Sequence, residues 1–257
     1  MLLTIDVGNT QVALGMFDGE KLIGHWRVST EPEATIDEMR WQMAGILGAD
    51  GFAQSDIRGV AISSVVPAIT TSLRRVAPHI TSGDVVVVEP GTRTGVAIEI
   101  DNPREVGADR VVNAVAARER HGAPAIVVDF GTSTNFDVIG REGSYVGGAI
   151  APGLEVSTEA LVSGTAALRR VEFEEPRSVI GKGTVEAIQS GALYGHAGLV
   201  DGIVERIAKE LGGDVKRVAT GGLASTIVPH CRSVDTIDPY LTLEGLRIIY
   251  NLNQDHA

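Results

Sequence analysis

One short unit occurs twice in this chain. Residues 2–24 read LLTIDVGNTQVALGMFDGEKLIG, and residues 123–150 read APAIVVDFGTSTNFDVIGREGSYVGGAI. Each copy is an apolar strand that ends on aspartate. An aliphatic or aromatic residue follows, then glycine, a small polar residue and threonine. A second strand, a glycine-containing turn and a third strand complete the unit. Asp6 matches Asp129 at an offset of 123 residues, Gly8 matches Gly131, and Thr10 falls near Thr132 and Ser133. A repeat at about half the chain length is an internal duplication. It predicts an α/β protein of two lobes, with a ligand between them.

The remaining pattern fits that frame. Leu2–Ile5, Val12–Phe17 and Leu22–Val28 predict a three-stranded meander, with Asp18-Gly19 as the hairpin signal. Thr35 with Glu38 predicts a capped helix whose apolar face is Ile36, Met39, Met43, Ile46 and Leu47. A strand from Gly59 to Ser63, a helix after Pro67 and a strand from Val85 to Val88 alternate in α/β fashion. Helices are predicted at Ala108–Arg120, Gly153–Val162, Thr184–Leu211 and Leu243–Asn251, with a strand at Val215–Ala219. We expect an N-terminal lobe of residues 1–115 and a C-terminal lobe of residues 116–257.

Composition narrows the function. The 257 residues are 44% hydrophobic and 21% charged, as in ordinary globular proteins, with a formal net charge of −11. Nonspecific nucleic-acid binders are basic, so nucleic acid is not an expected partner. Backbone amides and metal ions can still bind phosphate on an acidic protein. Cys231 is the single cysteine, which suits a reducing compartment. Asp6 interrupts the first apolar stretch, and runs such as Val85–Val88 and Ala125–Val128 are far too short to span a bilayer. We expect a cytoplasmic protein without membrane partners.

The turns carry the chemistry. Gly8-Asn9-Thr10 can cradle phosphate oxygens, and Asp6 before it can hold a hydrated Mg²⁺, which takes few carboxylates. Asp129 with Gly131 and Thr132 repeats the arrangement. One Asp-x-Gly-x-Thr is more readily an ordinary β-turn; two at matching places in a repeat favour a clamp on a polyphosphate. Thr220-Gly221-Gly222 follows a strand and is expected to open a helix, as a floor under a nucleotide. Gly107-Ala108-Asp109-Arg110 starts a helix. Asp109 is there either a first-turn aspartate or a general base, and Arg110 either a surface cation or an anchor for an anionic substrate. The six histidines show no metal-ligand spacing, and Trp26, Trp41 and Phe173 are expected to pack rather than stack on a nucleotide. On the Thr184–Leu211 helix, Gly191, Gly195, Gly198 and Gly202 share one face. That stripe needs close packing, either within its own lobe or against a second subunit.

Together these motifs resemble the acetate and sugar kinase, Hsp70 and actin superfamily. More closely, DVGNT at 6–10, SSVVP at 63–67, NPREVGADRVVNA at 102–114, DFGTSTNFD at 129–137, GGAIAPG at 147–153, QSGALYG at 189–195 and ATGGLA at 219–224 resemble type III pantothenate kinases. The resemblance runs in order from Met1 to about Asn251. It implies two ribonuclease-H-like lobes, a homodimer, and ATP-dependent phosphorylation of the pantothenate 4′-hydroxyl at the start of coenzyme A synthesis. It also implies Mg²⁺ and a monovalent cation, K⁺ or NH₄⁺. Carried over by position, Asp6, Val7, Gly8, Asn9, Thr10, Gln11, Val12 and Ala13 form the first ATP phosphate loop. Gly107, Ala108, Asp109 and Arg110 bind pantothenate, with Asp109 as base. Asp129 binds the monovalent cation, Thr132 contacts ATP, and Thr184 contacts substrate. Ile100, Asn135, Gly183 and Arg169 stand where the family usually has Tyr, Thr, Asn and Pro; Ile100 and Gly183 border the substrate pocket. Two other readings fit the same residues. A non-catalytic transcription-accessory relative is opposed by the three retained aspartates, and a kinase of another hydroxylated acid is kept open by Ile100.

Overall fold

The structure is a computed structural model that describes residues 1–254. His256 lies outside the described residues. The chain divides into two compact units. The first comprises Met1–Ala97, Asp101–Ala116 and the C-terminal segment from Leu241, and the second comprises Ile98–Ile100 and Ala117–Tyr240. The sequence-based division assigned everything after residue 115 to the C-terminal lobe. The last helix instead packs with the first unit.

In the first unit, β1 (Leu2–Val7), β2 (Gln11–Asp18) and β3 (Lys21–Ser29) form the expected antiparallel meander. β4 (Gly59–Ser64) and β5 (Asp84–Val87) add in parallel, giving the order β3-β2-β1-β4-β5. Strand alternation sorts side chains between two faces. Leu3, Ile5, Val7, Val60 and Ile62 are buried in one core with residues of α1 (Ile36–Ala49) and α2 (Pro67–Ile80). The Thr35 hydroxyl accepts from the Glu38 N–H and the Glu38 carboxylate accepts from the Thr35 N–H, so the capping box forms as predicted.

The other face carries Thr4, Asp6 and Ser63, and the C-terminal helix α7 (Leu241–Gln254) packs there. Gly15 and Gly59 make room for it. A Cβ on Gly15 would lie 3.0 Å from Leu243 Cδ1, and one on Gly59 would overlap the Tyr250 ring. Arg247 pairs with Glu244 at 2.9 Å and lies 5.8 Å from the Phe17 ring centre.

The second unit repeats the topology. β6 (Ala125–Phe130), β7 (Ser133–Ile139) and β8 (Tyr145–Pro152) form its meander. β9 (Lys216–Thr220) and the two-residue β10 (Thr236–Ile237) add in parallel, so the order is β8-β7-β6-β9-β10. Ile126, Val128, Phe130 and Phe136 share a core with Leu193, Val200 and Val204 of α5 (Thr184–Leu211) and Leu154 of α4 (Leu154–Ser163), and Phe173 packs on it. No helix among the described residues is long and apolar enough to cross a membrane.

Candidate functional site

In the first unit, Val7 pairs with Val12, so residues 8–11 form the turn that joins β1 to β2. Gly8 N–H donates to the Gln11 carbonyl at 2.9 Å, and the Thr30 hydroxyl donates to the Gly8 carbonyl at 2.7 Å. Thr30 N–H donates to the Thr10 carbonyl at 2.9 Å. The turn is thus held at its base while Asn9, Thr10 and Gln11 are exposed. Val12 and Ala13, the second and third residues of β2, are half-buried, as is Asp6 near the end of β1.

A second group lies beside this turn. Val65, just past β4, donates its N–H to the Val7 carbonyl at 3.0 Å. A Cβ on Gly107 would lie 3.6 Å from Val65 Cγ1 and would overlap Asp109 Oδ1. The segment from Asp6 through Val65 and Gly107 to Asp109 is therefore continuous within one unit. Asn102 shapes the approach to it by accepting from the Arg104 N–H at 3.3 Å and donating to Glu105 at 2.7 Å.

Asp109 lies in the first turn of α3 (Ala108–His121). Burial pushes its carboxyl above the ordinary aspartate range, opposed by the Arg110 N–H, which donates to Oδ1 at 2.9 Å, and by the Arg110 charge. A carboxylate with raised pKa and one oxygen engaged is suited to accept a proton. Gly107, Ala108 and Arg110 share this corner, all half-buried.

In the second unit, Phe130 pairs with Thr134, which leaves a turn of residues 131–133, one residue shorter than its counterpart. Gly131 N–H donates to the Ser133 carbonyl at 3.0 Å, and Gly153 N–H donates to the Thr132 carbonyl at 3.2 Å. A Cβ on Gly153 would overlap the Gly131 and Thr132 carbonyls. Gly131 and Thr132 are exposed, while Asp129 is half-buried beneath them. Gly221 has φ of +93°, and a Cβ there would lie 2.5 Å from Asp129 Oδ1. A glycine is therefore required where β9 hands the chain past Asp129. Gly221 is half-buried, and Gly222 after it is exposed. The expected helix after this turn is only α6 (Ala224–Ile227), a single turn, so no helix N-terminus capable of binding an anion stands there.

Thr184 is exposed as the first residue of α5, and Ile100 lies 3.8 Å from a Cβ placed on Gly147. Sequence reasoning missed the bracing by Thr30 and Gly153 and the buried pair of Thr134 and His196, at 2.8 Å. Trp41, expected to pack in the core or on the surface, is 80% exposed. Among the described residues, no three His, Cys, Asp or Glu side chains form a metal-binding group. The donor chemistry is that of single carboxylates, which fits Mg²⁺ held largely through phosphates and water.

The two duplicated five-stranded sheets define the actin-like ATPase fold. Among solved structures, ethanolamine utilization protein EutJ from Carboxydothermus hydrogenoformans shares that fold, with a TM-score of 0.56 over 96% of this chain and 89% of that one, at 15% identity. The type III pantothenate kinase family model matches residues 2–206, and the chain belongs to that family. It is 54% identical to the type III pantothenate kinase of Frankia alni over 98% of this chain and 100% of the relative. It is 52% identical to that of Streptomyces griseus over 100% of both chains.

Proposed function

We propose that this chain transfers the γ-phosphoryl group of ATP to the 4′-hydroxyl of pantothenate, the first step of coenzyme A synthesis. The observation that carries the reading is the continuity of Asp6, Val65, Gly107 and Asp109 within one unit. It joins a phosphate-binding turn to a carboxylate whose basicity is raised by burial. Asp109 accepts the hydroxyl proton through its second oxygen, and the pantothenate oxygen forms a bond to the γ-phosphorus as the bond to ADP breaks. In the first unit Arg110 holds the pantothenate carboxylate, with Gly107 and Ala108 beside it; in the second unit Ile100 and Thr184 are the candidate substrate contacts. In the first unit the turn from Asp6 to Ala13 binds nucleotide phosphates; in the second unit Thr132, Gly221 and Gly222 are the candidate nucleotide contacts. Asp6 would hold Mg²⁺ through the phosphates, and Asp129 would hold a monovalent cation, K⁺ or NH₄⁺. These ions supply positive charge against the transferring phosphoryl group.

The protein acts as a cytoplasmic homodimer in this reading. Gly191, Gly195 and Gly198 are exposed, and a Cβ on any of them would meet nothing within 4 Å. Their own unit thus gives no packing reason for glycine, which costs roughly 1 kcal/mol at each helical position. Ile150 and Ile180 in the same unit are 66% and 79% exposed. ADP release measured with and without pantothenate tests the function. Release that needs no pantothenate, or that follows a different hydroxy acid, overturns it.

A further inference from the structure

Ser63 is fully buried, and among the described residues its hydroxyl has no hydrogen-bond partner. A buried hydroxyl without a partner is costly, and such groups call for an explanation. Its position supplies one. In the parallel pairing of β1 and β4, Ser63 stands directly across from Asp6. Neighbouring strands lie about 4.8 Å apart, and side chains paired across them share a face.

The second unit repeats the juxtaposition independently. β9 occupies the place of β4, and its Thr220, also buried, stands across from Asp129. Each strand-end carboxylate therefore faces a buried hydroxyl on the next parallel strand. Two residue types that differ by a methyl, at the same register in both copies, keep the one group they share.

We infer that Ser63 is a positioning residue for the phosphate site, its hydroxyl donating to the Asp6 carboxylate when the Mg²⁺–triphosphate is bound. The donation fixes one carboxylate oxygen inward and directs the other to the metal's water shell. This rests on the reading of Asp6 as the carboxylate of that site. Ser63 touches neither substrate nor metal, and acts through Asp6 alone.

The test compares ATP affinity in Mg²⁺ with ATP affinity in EDTA, by calorimetry, together with the melting temperature of the ligand-free protein. Ser63→Ala should shrink the Mg²⁺-dependent gain in affinity about tenfold or more, the range for a hydrogen bond to a charged group. Its ligand-free melting temperature should hold or rise, because an unpartnered buried hydroxyl is gone. Ser63→Thr, which copies Thr220, should restore the gain. Asp6→Asn should abolish it. An unchanged gain in Ser63→Ala, or equal losses with and without Mg²⁺ and a lowered melting temperature, overturns the inference while leaving Asp6 in place. A gain that survives Asp6→Asn overturns the reading of Asp6 and this inference with it.

Discussion

Asp109→Asn separates catalysis from structure at the candidate base. The carboxyl accepts the Arg110 N–H through Oδ1 at 2.9 Å, and an asparagine carbonyl can accept the same bond. The substitution thus keeps the local geometry and removes the basicity. General-base catalysis is worth roughly 10²–10⁴ in rate, or about 2.7–5.5 kcal/mol of barrier at 1.36 kcal/mol per tenfold. We expect kcat to fall by that factor while ATP affinity is retained.

Stability should move the other way. Burial raises the Asp109 pKa, so the folded state binds this proton more tightly than the unfolded chain does. Its contribution is favourable below the ordinary aspartate range and is lost as pH rises through the raised value. At neutral pH the ionised group is a net burden that asparagine lacks. The variant's melting temperature should equal or exceed that of the parent at pH 7, and the advantage should shrink on acidification. In the parent, kcat/KM should fall on the acid side through a pKa above that of an unperturbed aspartate. A coupled ADP assay and thermal denaturation across pH measure both. Near-normal turnover in the variant refutes the base role, and activity lost together with a lowered melting temperature refutes the argument that the side chain is structurally dispensable.

The other expectations are more local. Asp129→Asn should weaken activation by K⁺ and leave the Mg²⁺ dependence intact in steady-state titrations; a change in Mg²⁺ dependence alone would reverse the two aspartate assignments. Burial and the nearby Asp201 push the Cys231 thiol up to about 12. At pH 8 only about one thiol in ten thousand is then ionised, so native protein should resist iodoacetamide and unfolded protein should not, as read by mass spectrometry. Gly195→Leu should give a folded monomer by size exclusion with light scattering, since a Cβ there meets nothing within 4 Å; a persisting dimer would remove the glycine stripe from the interface.

Where the sequence was legible, one strong local signal decided the outcome. α5 spans Thr184–Leu211 as predicted, because a long apolar periodicity runs between Gly183 and Gly212. The duplicated meanders appear in order because strand, turn and strand are encoded side by side. β10 escaped because two exposed residues, Thr236 and Ile237, carry no period. The amphipathic pattern of α7 was visible, but the unit it joins was not, because a helix's own pattern does not name its partner. Glycines inside the strands hold that information. Gly15 and Gly59 are poor strand residues unless another element comes close, and Leu243 and Tyr250 occupy the space they leave.

The duplication also explains why the candidate site could be only half read. Matching Asp6 to Asp129 aligns two carboxylates at one register, and it is natural to assign them one chemistry. Their surroundings differ residue by residue. The turn after Asp6 has four residues between paired strand ends and is tied down by Thr30, whereas the turn after Asp129 has three and is tied down by Gly153. Asp6 pairs across β2 with Ala13, while Asp129 pairs across β7 with Asn135 and has Gly221 pressed against it. A longer, more exposed turn beside a small residue leaves room for a bulky hydrated ion and its phosphates. A shorter turn with an amide neighbour and a close backbone suits a cation held by oxygen atoms at short range. What the two copies keep in common is the hydroxyl across the parallel strand, Ser63 in one and Thr220 in the other. The repeat thus keeps a hydroxyl across from each carboxylate and varies the turn above it, which is the difference the Asp129→Asn titrations probe.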